Sequence, residues 1–232
     1  MRLPSGVLKI EPPRTATRLA SAWCWVAMAI TLCAGSLIAC TLERQGAATG
    51  AVPSLGLDWQ PARFGAQPWR AWTAALVHYS ERHLLANLAG ALMVAALGMA
   101  ARVPLRCVIA WALAWPLVQV GLLLQPGLQH YAGLSGVLHA GVAVVATHLL
   151  WRASPVQRRI GMAVLAGLLL KLLGEAPWAG VINHPSGWDI AVAPGAHVSG
   201  VLVGMVLSAL TEAAHSGLRS VREALGAIDA HD

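Results

Sequence analysis

Five polar side chains of this 232-residue chain stand in stretches that are otherwise almost wholly apolar: His83, Asn87, Ser135, His139 and His197. Polar and ionisable groups are costly in hydrocarbon, so each needs a partner or a use. Ser135 lies in Tyr131-Ala-Gly-Leu-Ser-Gly-Val-Leu-His139. Gly133 and Gly136 leave its surroundings uncrowded, so backbone N–H groups can approach a bound carbonyl there. A serine becomes a nucleophile when a base takes its proton, and histidine is the side chain tuned for that near neutral pH. His197 lies in Gly195-Ala-His-Val-Ser-Gly200, and Gly200 with Gly204 has the small-xxx-small spacing that lets two helices touch. His83 and Asn87, four residues apart, share one helix face, and both can donate hydrogen bonds to an oxyanion. Each feature has a plainer use as well: close packing at Gly-Leu-Ser-Gly, a histidine bonded to a carbonyl, or a polar clamp between helices.

The elements that must position these groups follow from composition. Hydrophobic residues make up 57% of the chain and charged ones 11%, against roughly 25% charged in a soluble domain. A typical cytosolic enzyme, a disordered tail and a coiled coil are excluded, which leaves an all-α polytopic membrane protein. Six apolar stretches, about 19–42, 79–101, 106–124, 135–152, 157–173 and 196–213, approach the ~20 residues that cross a bilayer core. The fourth and fifth are the shortest. Tryptophans 23, 25, 69, 72, 111, 115, 151 and 178 fall mostly near segment ends, as an interfacial belt requires. The organisation expected is a cytoplasmic N-terminal segment 1–18, a six-helix core 19–213 and a cytoplasmic tail 214–232 read as a short amphipathic helix.

The net charge of +6 is explained by basic residues at segment ends, so the partner is the lipid bilayer and not nucleic acid. One side carries 11 of the 16 Lys and Arg, among them Arg102, Arg106, Arg158 and Arg159; the other carries Arg44, Arg63, Arg70, Arg82 and Lys171. The bias puts both termini in the cytoplasm. His83, Asn87, Ser135, His139 and His197 then all sit in the outer half of the bilayer and can converge on one shallow pocket. Cys24, Cys33, Cys40 and Cys107 form no disulfide framework or zinc knuckle. Leu37-Ile38-Ala39-Cys40 resembles a lipoprotein cleavage box, but its apolar run exceeds a signal peptide's core, so the segment is expected to stay as a transmembrane helix. No His-Glu-x-x-His helix is present, and Asp58 and Asp189 fall in loops, so the zinc and aspartyl routes to intramembrane proteolysis are excluded. His78, His130, His184 and Asp189 have no metal-site spacing. A small transporter would need a second discontinuous helix and an inverted repeat, and neither is read.

Four motifs in order resemble the rhomboid family of intramembrane serine proteases: Trp69-Arg70, His83-Leu-Leu-Ala-Asn87, Gly133-Leu134-Ser135-Gly136 and Ala196-His197-Val-Ser-Gly200. The resemblance implies a six-helix bundle in which Ser135 is the nucleophile and His197 the general base and acid. His83, Asn87 and the Ser135 backbone N–H would form the oxyanion hole, with no cofactor or metal. It implies a dyad whose histidine is oriented by packing and not by a carboxylate, and a first outer loop that Trp69 and Arg70 help to seat in the membrane surface. Two positions depart from the pattern: His139 stands where a tyrosine often stacks on the catalytic histidine, and Ala132 where glycine is common. The short core and His139 make the chain most similar to the rhombosortase branch. That branch is associated with secreted proteins bearing a C-terminal Gly-Gly, a transmembrane helix and a basic tail, cut on the outer face of the bacterial inner membrane. The alternatives are a general rhomboid protease of single-span substrates and an inactive rhomboid that binds transmembrane helices. The Gly- and Pro-rich 174–195 loop is expected to be a mobile cap over the site.

Overall fold

The computed structural model describes residues 14–49, 56–152 and 154–228. Among them seven α-helices follow one another: α1 (Arg14–Thr49), the single turn α2 (Arg70–Thr73), α3 (Glu81–Ala101), α4 (Leu105–Gly121), α5 (Ser135–Leu150), α6 (Pro155–Gly174) and α7 (Pro194–Ile228). The remaining pairing is two isolated bridges, Trp59 with Tyr131 and Asn183 with Val192. Each of the six apolar stretches is a helix. Four spans, Ala20–Gly46, Glu81–Ala101, Leu105–Leu124 and Pro194–Val221, are long and apolar enough to cross a bilayer. Helix α5 is shorter, and α6 carries Arg158 and Arg159 near one end and Lys171 near the other. The large side chains Leu92, Met93, Leu170 and Leu210 point outward while His148, Gln119 and Ser208 are buried. That is the arrangement of a multi-pass helical membrane protein, whose outer surface faces lipid.

Local chemistry sets the helix ends. Ser80 has extended backbone and its side chain accepts from the His83 N–H, which caps α3 and fixes where His83 begins its face. Arg102, in the left-handed region, ends α3, and Pro104 precedes α4, so the link between these two helices is short. Pro155 opens α6, where its missing N–H has no intrahelical partner to lose. Two boundaries differ from the sequence reading. Helix α1 runs without interruption through Cys40 to Thr49, so Arg44, expected in a loop, is helical and pairs with Glu81. The expected separate tail helix is, to Ile228, a continuation of α7; residues 1–13 and 229–232 lie outside the described residues.

Helix α5 is the axle. Residues from Gly136 to Leu149 are buried apart from Val142, and α3, α4, α6 and α7 all pack on it. Sixteen residues make only about 24 Å of helix, less than the ~30 Å bilayer core. The contact with α7 depends on small residues: a Cβ on Gly200 would collide with the Gly136 carbonyl oxygen, and one on Gly204 with that of Ala140. Trp25 of α1 stacks against Trp111 of α4, centroids 4.3 Å apart, and donates to the Val94 carbonyl at 2.9 Å, tying α1, α3 and α4 together.

At the opposite end of the bundle, Glu212 of α7 accepts from Arg106 at 2.8 Å and lies 2.6 Å from His148 Nδ1, with Cys107 beside them. Glu212 and His148 are buried while Arg106 is partly open to solvent. Replacing one partner of such a pair leaves the others desolvated and uncompensated, so Glu212→Ala is predicted to cost about 3 kcal/mol of stability. The check is the thermal midpoint of the detergent-solubilised variant; a midpoint equal to wild type would sink this assignment.

Candidate active site

The loop before Ser135 is braced by the 56–80 segment between α1 and α3. Gly133 N–H donates to the Ala74 carbonyl at 2.9 Å, and Trp59 and Tyr131 exchange backbone hydrogen bonds of 2.7 and 2.9 Å. Arg70, buried, sends Nη1 to the Asp58 carbonyl oxygen at 2.7 Å and to its carboxylate at 3.1 Å, and Nε to Gln67. Asp58 also meets His130 Nδ1 at 2.6 Å. Trp69 and Trp72, about half exposed, project from this turn. The Trp69-Arg70 pair therefore does not join the reactive residues; Arg70 pins the loop on which the Ser135 segment leans.

Gly133 has φ of +132°, a left-handed conformation that L side chains resist. Space also forbids a side chain, because a Cβ there would lie 2.6 Å from His83 Cε1 and 2.7 Å from Nε2. The glycine thus lets the backbone ahead of Ser135 press directly against His83, with Asn87 Nδ2 3.9 Å from the same point. Ser135 is the first residue of α5, where backbone N–H groups have no intrahelical acceptor. His83 and Asn87 are buried, and His83 Nδ1 and Asn87 Nδ2 have no hydrogen-bond partner among the described residues. Asn87 Nδ2 is an unused donor beside a helix N-terminus, as a developing oxyanion needs, and the His83 edge that faces Gly133 is Cε1–Nε2. His78 packs edge-on against His83, centroids 4.8 Å apart; burial first, then the His83 ring, lowers its pKa to about 4, so it is neutral at pH 7.

Opposite these donors, His197 Nε2 is 2.8 Å from Ser135 Oγ. His139 stacks on the His197 ring, centroids 4.2 Å apart and planes 13° from parallel, while its own Nδ1 lies 2.7 Å from the Ser135 carbonyl oxygen. His139 thus takes the stacking place and its Nδ1 is committed to the backbone. The expectation that packing alone orients His197 is corrected: Glu175 Oε2 lies 2.6 Å from His197 Nδ1. Glu175 follows the last residue of α6 and also pairs with Lys171. Burial by itself raises its pKa, but the hydrogen bonds and charges of His197 and Lys171 outweigh that and hold the carboxyl down at about 2. The lowered value means that the carboxylate's contribution to stability is present above the ordinary carboxylate range and is lost as pH falls toward 2. Sequence reading passed over Glu175; the available signal was an acidic residue one turn after Lys171 at the end of an apolar helix.

These residues line a cavity of about 1210 Å³. Ser135, His139 and His197 form its floor, Ala86, Gly90 and Met93 of α3 one wall, Leu168 and Lys171 of α6 the other, and the 175–193 segment its roof. The roof is non-helical, as its Gly and Pro content required, and is fastened by the Asn183–Val192 bridge and by Arg82 over the Trp188 ring at 5.4 Å. Among the described residues, two groups bring three metal-competent side chains together, His139, Glu175 and His197 at this site and Cys107, His148 and Glu212 at the far end. In the first, both His197 nitrogens are already engaged by Glu175 and Ser135; in the second, Glu212 is committed to Arg106 and His148.

The profile of the Rhomboid domain matches residues 65–213, nearly two thirds of the chain. The chain belongs to the rhomboid family. Its members are intramembrane serine proteases, and inactive members exist. The rhomboid match takes in Trp69-Arg70, both histidine motifs, Ser135 and Glu175, and leaves all of α1 outside. No curated protein matches the chain significantly.

Proposed function

We propose that this rhomboid is an active serine endopeptidase that cuts membrane-anchored proteins near the outer membrane–water interface. The observation that carries the reading is the 2.8 Å approach of His197 Nε2 to Ser135 Oγ in a cavity lined on one side by Ala86, Gly90 and Met93. Ser135 Oγ attacks the scissile carbonyl carbon, its proton passes to His197 Nε2, and the carbonyl electron pair moves onto oxygen facing Asn87, His83 and the Ser135 N–H. Collapse breaks the C–N bond, and Nε2 gives the proton to the leaving amine. Water then adds to the acyl carbon as Nε2 takes its proton, and the proton returns to Oγ as the acid product leaves.

A transmembrane helix hides its carbonyls in its own hydrogen bonds, so the substrate must unwind at the cut. The α3 wall of Ala86, Gly90 and Met93 is apolar enough to receive the remaining helix from the lipid side. The substrates are of the rhombosortase kind, with Gly-Gly ahead of a transmembrane helix and basic tail, which the likeness of the Ser135–His139 segment to that branch supports. The enzyme lies in the bacterial inner membrane with cytoplasmic termini and its site open to the periplasm, as the distribution of basic residues supports. Glycine costs about 1 kcal/mol per residue in a helix relative to alanine. Exchange of a substrate's Gly-Gly for Ala-Ala is therefore predicted to slow cleavage about 30-fold in proteoliposomes. Equal rates for the two substrates would remove the sorting-type specificity and leave a general rhomboid protease.

A further inference from the structure

Both ring nitrogens of His197 are occupied, Nε2 by Ser135 Oγ at 2.8 Å and Nδ1 by Glu175 Oε2 at 2.6 Å. A carboxylate only accepts, so Nδ1 must carry the hydrogen, and Nε2 is left with the lone pair that a general base needs. The stacked His139 fixes the plane of the ring but says nothing about which nitrogen is protonated. We infer that Glu175 is the positioning residue of a Ser135–His197–Glu175 triad, setting the tautomer of His197 and balancing the imidazolium formed when Ser135 is deprotonated. The inference rests on the protease reading for its kinetic consequence, but not for the tautomer.

The surroundings of Glu175 are built to hold it there. Its backbone N–H bonds back to Lys171 and Leu172, and its carbonyl accepts from Asn183 Nδ2 at 2.7 Å, which joins it to the Asn183–Val192 bridge of the roof. Ala176, the next residue, has φ of +46°. A non-glycine residue in that region costs roughly 1–2 kcal/mol, and it turns the chain out of helical conformation directly after Glu175. A simple ion pair with Lys171, one turn earlier on the same helix, would need none of this. It would also leave the Nδ1 hydrogen of a ring only 7% exposed without an acceptor, a loss of about 1–3 kcal/mol. The triad therefore closes only when the segment after α6 is seated, so the roof supplies chemistry as well as cover.

The test compares kcat and KM for a transmembrane substrate in wild type, Glu175→Gln and Glu175→Asp, and reads the tautomer of His197 by ¹⁵N-histidine NMR, assigned by difference from His197→Ala. Glu175→Gln presents an amide that can donate to Nδ1 and invert the tautomer. Its kcat is expected to fall about 100-fold or more with KM little changed, short of the ~10⁴ seen for a fully buried triad carboxylate. Glu175→Asp, which keeps the charge, should recover part of the loss, and the Nδ1–H signal of wild type should shift in Glu175→Gln alone. Wild-type kcat in Glu175→Gln, equal losses in both variants, or a wild-type His197 protonated at Nε2 would each overturn the triad. A wild type that shows the Nδ1–H signal yet cleaves nothing would support the Glu175–His197 pairing while overturning the protease reading.

Discussion

Ser135→Ala and His197→Ala are each expected to lower cleavage of a transmembrane substrate by about 10⁴-fold or more, with the fold and membrane insertion unchanged. The two losses should be alike and should not add, because nucleophile and base act as one unit. His139→Phe makes the informative contrast. Phenylalanine keeps an aromatic face over His197, where the rings now lie 4.2 Å apart, and gives up only the hydrogen bond to the Ser135 carbonyl. Its loss is expected to stay below about tenfold. Parallel assays of the three variants in proteoliposomes decide the matter. A His139→Phe enzyme as dead as His197→Ala would show that His139 handles protons, and His197 would no longer be the sole general base.

Asn87→Ala is expected to reduce kcat by about 10²–10³-fold, the cost of losing one oxyanion donor, while KM and thermal stability hold. The second half of that statement gives it its force. Asn87 Nδ2 is buried and has no partner among the described residues, so truncation breaks no hydrogen bond made by that donor in the resting protein. A polar clamp between helices, the plainer use of a His-x-x-x-Asn face, would behave in the opposite way and lower the melting temperature first. Steady-state kinetics beside a thermal melt separate the two. A destabilised Asn87→Ala protein with a wild-type kcat would return His83 and Asn87 to a structural role.

The positions of the six helices were legible because their driving force is the one a sequence displays most openly, the removal of long apolar runs from water. Ser135, His197, His83 and Asn87 were legible for a related reason: polar groups stand out against such runs, and their spacing puts them on shared faces. What could not be read were contacts between a helix and a loop that carries no periodicity. Glu175 belongs to a segment of glycines and prolines whose path depends on Ala176 and the Asn183–Val192 bridge, and neither leaves a local pattern. Arg70 was read by resemblance as a membrane-surface residue, although its guanidinium is buried on Asp58 and Gln67, a pairing set by the fold of the 56–80 segment. The run-on of α1 through Arg44 and of α7 to Ile228 escaped notice because apolar content ends where the bilayer does, whereas a helix does not have to.

Labelling of the purified, folded protein with a fluorophosphonate probe, beside Ser135→Ala and His197→Ala, tests the central claim most directly. The probe bonds to a serine oxygen only when a base has activated it. The Ser135–His197 geometry predicts stoichiometric labelling of wild type that disappears in both variants. A folded wild type that stays unlabelled even by a fluorophosphonate small enough to pass the 175–193 roof would contradict an activated serine. It would place this chain among the rhomboids that bind transmembrane helices without cutting them.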